Sequence, residues 1–283
     1  KPDGTADKLV AEAVKMYHEM SERTGVFIDF MTNNGLMDLL TKAKKAGGGF
    51  CTFFANYKSP FIFANFNGTQ GDVGTLTHEA GHAYAFYIAG EDEIFETAGA
   101  SYDACEIHSM SMEFFAWPWM ERFYGKDAER ARLAHLEEAV TFIPYGTMVD
   151  HFQHIMYENP NLTPAQRHEE WMKLEKQYRP YIDFENIPFY SQGRGWQRQS
   201  HIYEVAFYYI DYCLAQSVAL AFWAQSRKDR KDAWERYNKL VDCTGKKTFT
   251  ELCKVADMTD PFTDGCLKQV AATAFEYLNQ LSE

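Results

Sequence analysis

Basic residues are scarce in this chain: 28 lysines and arginines stand against 40 aspartates and glutamates, a formal net charge of −12 over 283 residues. A nucleic-acid backbone is repelled by that balance unless the bases gather in one patch. The longest basic groupings, KAKK at 42–45 and RKDRK at 227–231, read as short solvated helix faces. No apolar run reaches the ~20 residues that cross a bilayer, and the N-terminus lacks the charged-then-apolar pattern of a secretory leader. Neither nucleic acid nor a membrane is therefore an expected partner. The six cysteines, at 51, 105, 213, 243, 253 and 266, are scattered and form no pair with metal-finger spacing. A chain of this size does not need disulfide staples, so reduced thiols in a cytoplasmic protein are expected. Internal repeats, low-complexity tracts and clear linkers are also missing, and a single domain over 1–283 is expected. An initiator methionine is absent too, and the loop-like start KPDGT suggests a chain cut from a longer one.

What is present is ample core material: 46% hydrophobic residues and 16% aromatics, many clustered as in FFAWPWM and AFYYIDY. Apolar positions at helical spacing predict helices over 7–24 and 34–46. The three glycines of AGGGFCTFFANY then release the chain, and Phe50–Phe54 reads as a strand, followed by a second aromatic run, PFIFANF. A small sheet near residues 49–65 is expected to be the only one. Further helices are expected at 102–124, 127–157, 163–177, 201–226, 229–242 and 265–281, giving a mainly α fold. One long irregular stretch, 179–200, stands out, since loops of that length inside a compact domain are often functional.

The stretch TLTHEAGHAYAF carries the chemistry. His78 and His82 are four apart, with Asp72 or Thr75 as candidate cap and Gly90 as candidate stop of their helix. Residues four apart share a helix face, so both imidazoles can address one ion. Glu79 projects about 100° further round, beside the ion rather than on it, where it can act as a general base. A catalytic zinc takes a third protein ligand and keeps an open fourth position. SYDACEIHSMSMEFF offers Glu106, 24 residues after His82, on a helix able to return against the first. Glu91, Glu93 and Glu96 compete for that place on spacing alone. Asp103 is expected to accept the free N–H of a ligand imidazole, and Glu113, on the face of Glu106, to orient groups around the site.

THEAGHAY, then DACEIHSMSMEFF, then WQRQSHIYEVAFYYIDYCLAQ, in that order, resemble the thimet oligopeptidase and oligoendopeptidase F family of zinc metallopeptidases, from about Tyr17 to the C-terminal helices. The resemblance implies a multi-helix, zincin-like catalytic domain. It implies one Zn2+ per chain held by His78, His82 and Glu106, with Glu79 as general base and proton shuttle. It also implies that His201 and tyrosines among 208, 209 and 212 stabilise the oxyanion, near the loop SQGRGW. Tyr208 and Tyr212, four apart, are preferred; Tyr209 is the alternative to Tyr208. Two departures stand out: Ala206 replaces a proline common before FYY, and the family's N-terminal helical half is missing.

The activity so implied is endopeptidase cleavage of oligopeptides; the strand at 50–54 either pairs with the extended substrate or belongs to a small sheet that only packs against the motif helix. The alternatives are a metallocarboxypeptidase or dipeptidyl carboxypeptidase, with Arg194 or Arg198 on the substrate carboxylate, and a zinc- and peptide-binding fragment impaired in turnover.

Overall fold

Two helices, rather than one, open the chain in the computed structural model, which describes residues 1–280. α1 (Ala6–Met20) and α2 (Glu22–Asn33) are separated by Ser21, whose backbone is extended. Its hydroxyl accepts the Thr24 N–H at 3.1 Å, an N-cap that starts a new helix in the middle of the expected one. The helix expected over 34–46 does not form. Gly35, at φ +63°, turns the chain, and β1 (Met37–Leu40) pairs with β3 (Ser59–Phe66) instead. A pairing that distant is invisible to local periodicity and overrides it. Lys45 closes the loop that follows: its ammonium donates to the carbonyls of Asp38, Leu40 and Ala64 at 3.0, 2.9 and 2.5 Å.

The sheet has the order β1-β3-β2, with β1 parallel to β3 and β2 (Phe50–Phe54) antiparallel to it. Along β3 the pleat buries Pro60, Ile62, Ala64 and Phe66 and leaves the alternate residues half-exposed. α3 (Gly71–Ala89), which carries the histidine pair, packs on β3, β2 and α4 (Tyr102–Phe115). Asp72 in its first turn accepts the N–H groups of Asn67 and Gly68 at 3.0 and 2.8 Å, locking the turn before the helix. Gly90 ends it, as its spacing suggested.

The helix expected over 102–124 breaks after Phe115 into a short 3-10 turn at Trp117–Trp119, with Pro118 inside it, and then α5 (Met120–Tyr124). The rest is helical: α6 (Ala128–Glu158), α7 (Pro164–Tyr178), α8 (His201–Glu204), α9 (Tyr209–Lys228), α10 (Arg230–Val241), α11 (Phe249–Val255) and α12 (Cys266–Gln280). The segment expected as one helix over 201–226 is thus two, parted at Phe207, whose φ is +61°. Residues 179–200 hold only short 3-10 turns. Position 281, the end of the last expected helix, lies outside the described residues. The mainly α architecture with one small sheet is as expected.

The described residues form two compact units, residues 1–137 with 215–280, and residues 138–214. The first is cored by Tyr17, Phe27, Tyr84, Phe222 and Tyr237. The second is cored by Met148, Val149, Phe152, Trp171, Leu174, Trp196 and Tyr209. Among the described residues no helix is long and apolar enough to cross a membrane.

Candidate functional site

Within the first unit, α3 and α4 cross so closely that only glycine fits at position 81. A Cβ there would stand 2.6 Å from the His108 carbonyl oxygen and from the Ser109 Cα. This contact brings Glu106, one turn before Ser109, over the two imidazoles of α3. Glu106 Oε2 lies 3.1 Å from His78 Nε2 and 3.2 Å from His82 Nε2, and the three donor atoms all lie within 4.8 Å of one another. In a tetrahedral zinc site with bonds of about 2.0–2.1 Å, donors stand about 3.3 Å apart. Both imidazole nitrogens meet the carboxylate at close to that edge. Two imidazoles and one carboxylate are also a donor set that a catalytic zinc uses, so the residues fit the ion. Of the acidic residues that competed on spacing, Glu91 instead pairs with Lys58 at 3.1 Å.

Electrostatics reinforce the arrangement. Burial works against charge on His78, but Glu106 and Glu113 outweigh it and raise its pKa well above the usual histidine range. Burial likewise opposes charge on Glu106, yet His82 and His78 hold its carboxyl well below the usual value. A carboxylate thus faces a pair of nitrogens at which a dication can replace a proton. Ser109 Oγ donates to Glu106 Oε2 at 2.7 Å and fixes the carboxylate's rotation. Glu79, beside this group, is buried at 5% exposure, and burial pushes its carboxyl above the ordinary range. Its Oε2 has no hydrogen-bond partner in the protein. A buried carboxylate oxygen left so is costly and marks a place for a ligand or water. The backbone of Gly49 passes alongside, where a Cβ would come to 3.4 Å from Glu79 Oε1.

The contact expected of Asp103 goes elsewhere for His78. Its Nδ1 meets Glu113 Oε1 at 2.7 Å, while Asp103, in the first turn of α4, accepts from Ser101 Oγ. The reason is helical phase: Glu113, seven residues or nearly two turns beyond Glu106, returns to the same face. Glu113 Oε2 in turn meets His135 Nε2 at 2.8 Å, and Trp117 Nε1 donates to His135 Nδ1 at 2.8 Å. The pairing of histidines holds the Glu113 carboxyl, despite its burial, down to about 2. Nothing in the local spacing of Ser109, His135 or Trp117 announces these contacts.

In the second unit, His201 sits among the tyrosines with which the sequence grouped it. Its ring lies 6.2 Å from that of Tyr208, 5.1 Å from Tyr209 and 5.7 Å from Tyr212. Tyr209 is buried at 7% exposure against Phe142 and Tyr145. Tyr208 and Tyr212 are half-buried, and the Tyr212 hydroxyl stands 3.4 Å from His201 Nε2. Gln199, which sequence reasoning passed over, donates through Nε2 to His201 Nδ1 at 2.6 Å and accepts from the Tyr145 hydroxyl at 3.0 Å.

Residues 6–272 match the model of peptidase family M3. The chain belongs to that family. A curated relative, the Oligoendopeptidase F homolog of Borreliella burgdorferi (strain ATCC 35210 / DSM 4680 / CIP 102532 / B31), is 23% identical over 235 residues, 80% of this chain and 39% of the relative. The solved structure of PZ peptidase A with inhibitor 2 superposes at a TM-score of 0.96 with 50% identity, over 99% of this chain and 50% of that one. A solved Bacillus anthracis str. Ames protein is 46% identical at a TM-score of 0.89, over 99% of this chain and 47% of its own. The M3 chain described here thus spans about half the length of the solved relatives it matches.

Proposed function

We propose that residues 1–283 are the catalytic part of a zinc-dependent endopeptidase that hydrolyses internal bonds of oligopeptides, with one zinc ion per chain and a cytoplasmic site of action. One observation carries the reading: His78, His82 and Glu106 converge on one point, next to a buried Glu79 oxygen that the protein leaves unpartnered. Names among the relatives, an oligoendopeptidase F homolog and PZ peptidase A, support the substrate class.

In this mechanism His78, His82 and Glu106 hold the ion. When bound, the ion polarises the scissile carbonyl and lowers the pKa of an adjacent water towards about 7. Glu79 accepts the proton of the attacking water and returns it to the leaving nitrogen; its raised pKa suits both halves of that exchange. Glu113 orients His78 through Nδ1. Among the described residues β2 is an edge strand, bonded to β3 alone, and it begins beside Gly49, whose backbone lies next to Glu79. An extended peptide added to that edge has its backbone fixed close to the base. His201, Tyr208 and Tyr212 are assigned the developing oxyanion on the strength of the family motif they match.

The test is digestion of an internally quenched peptide with an amidated C-terminus, with products identified by mass spectrometry. Internal cleavage that tolerates the amide and disappears in Glu79→Gln is the expected result. Cleavage that requires a free C-terminal carboxylate supports a carboxypeptidase instead, and activity in Glu79→Gln near the wild-type rate overturns the assignment of the base.

A further inference from the structure

The hydrogen-bond chain behind His78 can be read for the direction of every proton in it. An indole N–H only donates, so at 2.8 Å from Trp117 Nε1 the Nδ1 atom of His135 must accept. The His135 proton is then on Nε2, which donates to Glu113 Oε2 at 2.8 Å. Glu113, receiving that bond as a carboxylate, offers Oε1 as an acceptor to His78 Nδ1 at 2.7 Å. The proton of a neutral His78 is thereby held on Nδ1, and the lone pair of Nε2 is left for the point where His82 and Glu106 converge.

The supports of this chain are rigid. Trp117 is 8% exposed, lies in the turn that ends α4, and has its carbonyl held by Arg132 Nε at 3.0 Å. The His135 ring packs against Phe114, centroids 4.6 Å apart, and against Trp117 at 5.8 Å. Neither ring can turn without breaking a part-buried hydrogen bond.

We propose that His135, set by Trp117, is a positioning residue of the metal centre: it fixes the orientation of Glu113 and through it the tautomer in which His78 presents Nε2 to a divalent cation. The proposal rests on the reading of His78, His82 and Glu106 as a metal site. An outer partner of this kind alters metal affinity by about 10–100-fold when removed.

The test is the zinc affinity of metal-stripped protein, measured by competition with a chromogenic chelator for the wild type, His135→Leu, His135→Gln and Trp117→Phe, with thermal stability measured alongside. The wild type is expected to bind one equivalent tightly. His135→Leu, which removes the donor to Glu113, is expected to weaken binding by roughly 10–100-fold. His135→Gln, whose side-chain amide can supply an N–H in the Nε2 position, is expected to recover most of that loss. Trp117→Phe keeps an aromatic ring, though a smaller one, and removes the indole N–H, so binding weakens by a smaller factor. The imidazole 15N shifts of His135 should report a proton on Nε2 alone in the wild type and a mixture of tautomers in Trp117→Phe. Wild-type zinc binding that is unchanged in His135→Leu overturns the proposal, as does a Gln variant no better than the Leu variant at equal thermal stability. A wild type that binds no zinc overturns the underlying metal-site reading, a separate failure.

Discussion

The two compact units each hold an imidazole by its Nδ1 atom, and they hold it with opposite chemistry. In the first, His78 Nδ1 donates a hydrogen bond to the carboxylate of Glu113, and Nε2 faces a second carboxylate, that of Glu106. An imidazole so placed presents a lone pair among negative charges, a setting for a cation. In the second unit, His201 Nδ1 accepts from the Gln199 amide, and the rings of Tyr208, Tyr209 and Tyr212 pack around it. That imidazole keeps its proton on Nε2, a setting for an acceptor that gains negative charge. The side chain is the same; its neighbours decide whether it offers electrons or a proton.

Substitutions can break the contrast at different points. The largest effect is expected at Glu79, where the Gln variant should lose roughly 10²–10⁴ in turnover while keeping its metal. Gly81→Ala comes next, because the new methyl meets backbone of α4 rather than a movable side chain. Overpacking of about 1–3 kcal/mol should lower the melting temperature and, by pushing Glu106 outward, the zinc content measured after dialysis. Gln199→Leu should slow turnover roughly tenfold with zinc content unchanged, since it removes the donor to His201 and nothing in the first unit. The smallest effect is expected from Tyr209→Phe, a core ring whose hydroxyl the mechanism does not use. Tyr212→Phe, by comparison, should slow turnover several-fold. Equal effects of those two in a steady-state assay would mean that the tyrosines act through packing alone.

The sequence reveals these two regions unequally. His78 and His82 are legible because four residues make one helical turn, a purely local fact. Glu106 is one of several acidic residues on spacing alone, favoured by its place on a returning helix and by the family resemblance, and it is the approach of α4 at Gly81 that brings it to the histidines. The contact expected of Asp103 belongs to Glu113 at His78, a difference of helical phase that spacing can suggest but not decide. His135 and Trp117 lie on other elements, so no window of sequence connects them to His78. The same limit explains the fold. The helix expected over 34–46 gives way to a strand because β3, arriving later in the chain, takes its backbone groups. The break at Phe207 is hidden because a φ of +61° ordinarily calls for glycine. There the strain is supported by Gln153, buried at 1% exposure, whose Oε1 accepts the Phe207 N–H at 2.9 Å.

Three side chains from α3 and α4 are proposed to hold one divalent cation. Titration of metal-stripped protein with cobalt, followed by its visible absorption, tests this most directly. One equivalent taken up in a low-symmetry, four- or five-coordinate environment, abolished in His78→Ala and in Glu106→Ala and retained in Glu79→Gln, is the predicted result. Tight uptake that survives His78→Ala, or none in the wild type, would contradict it.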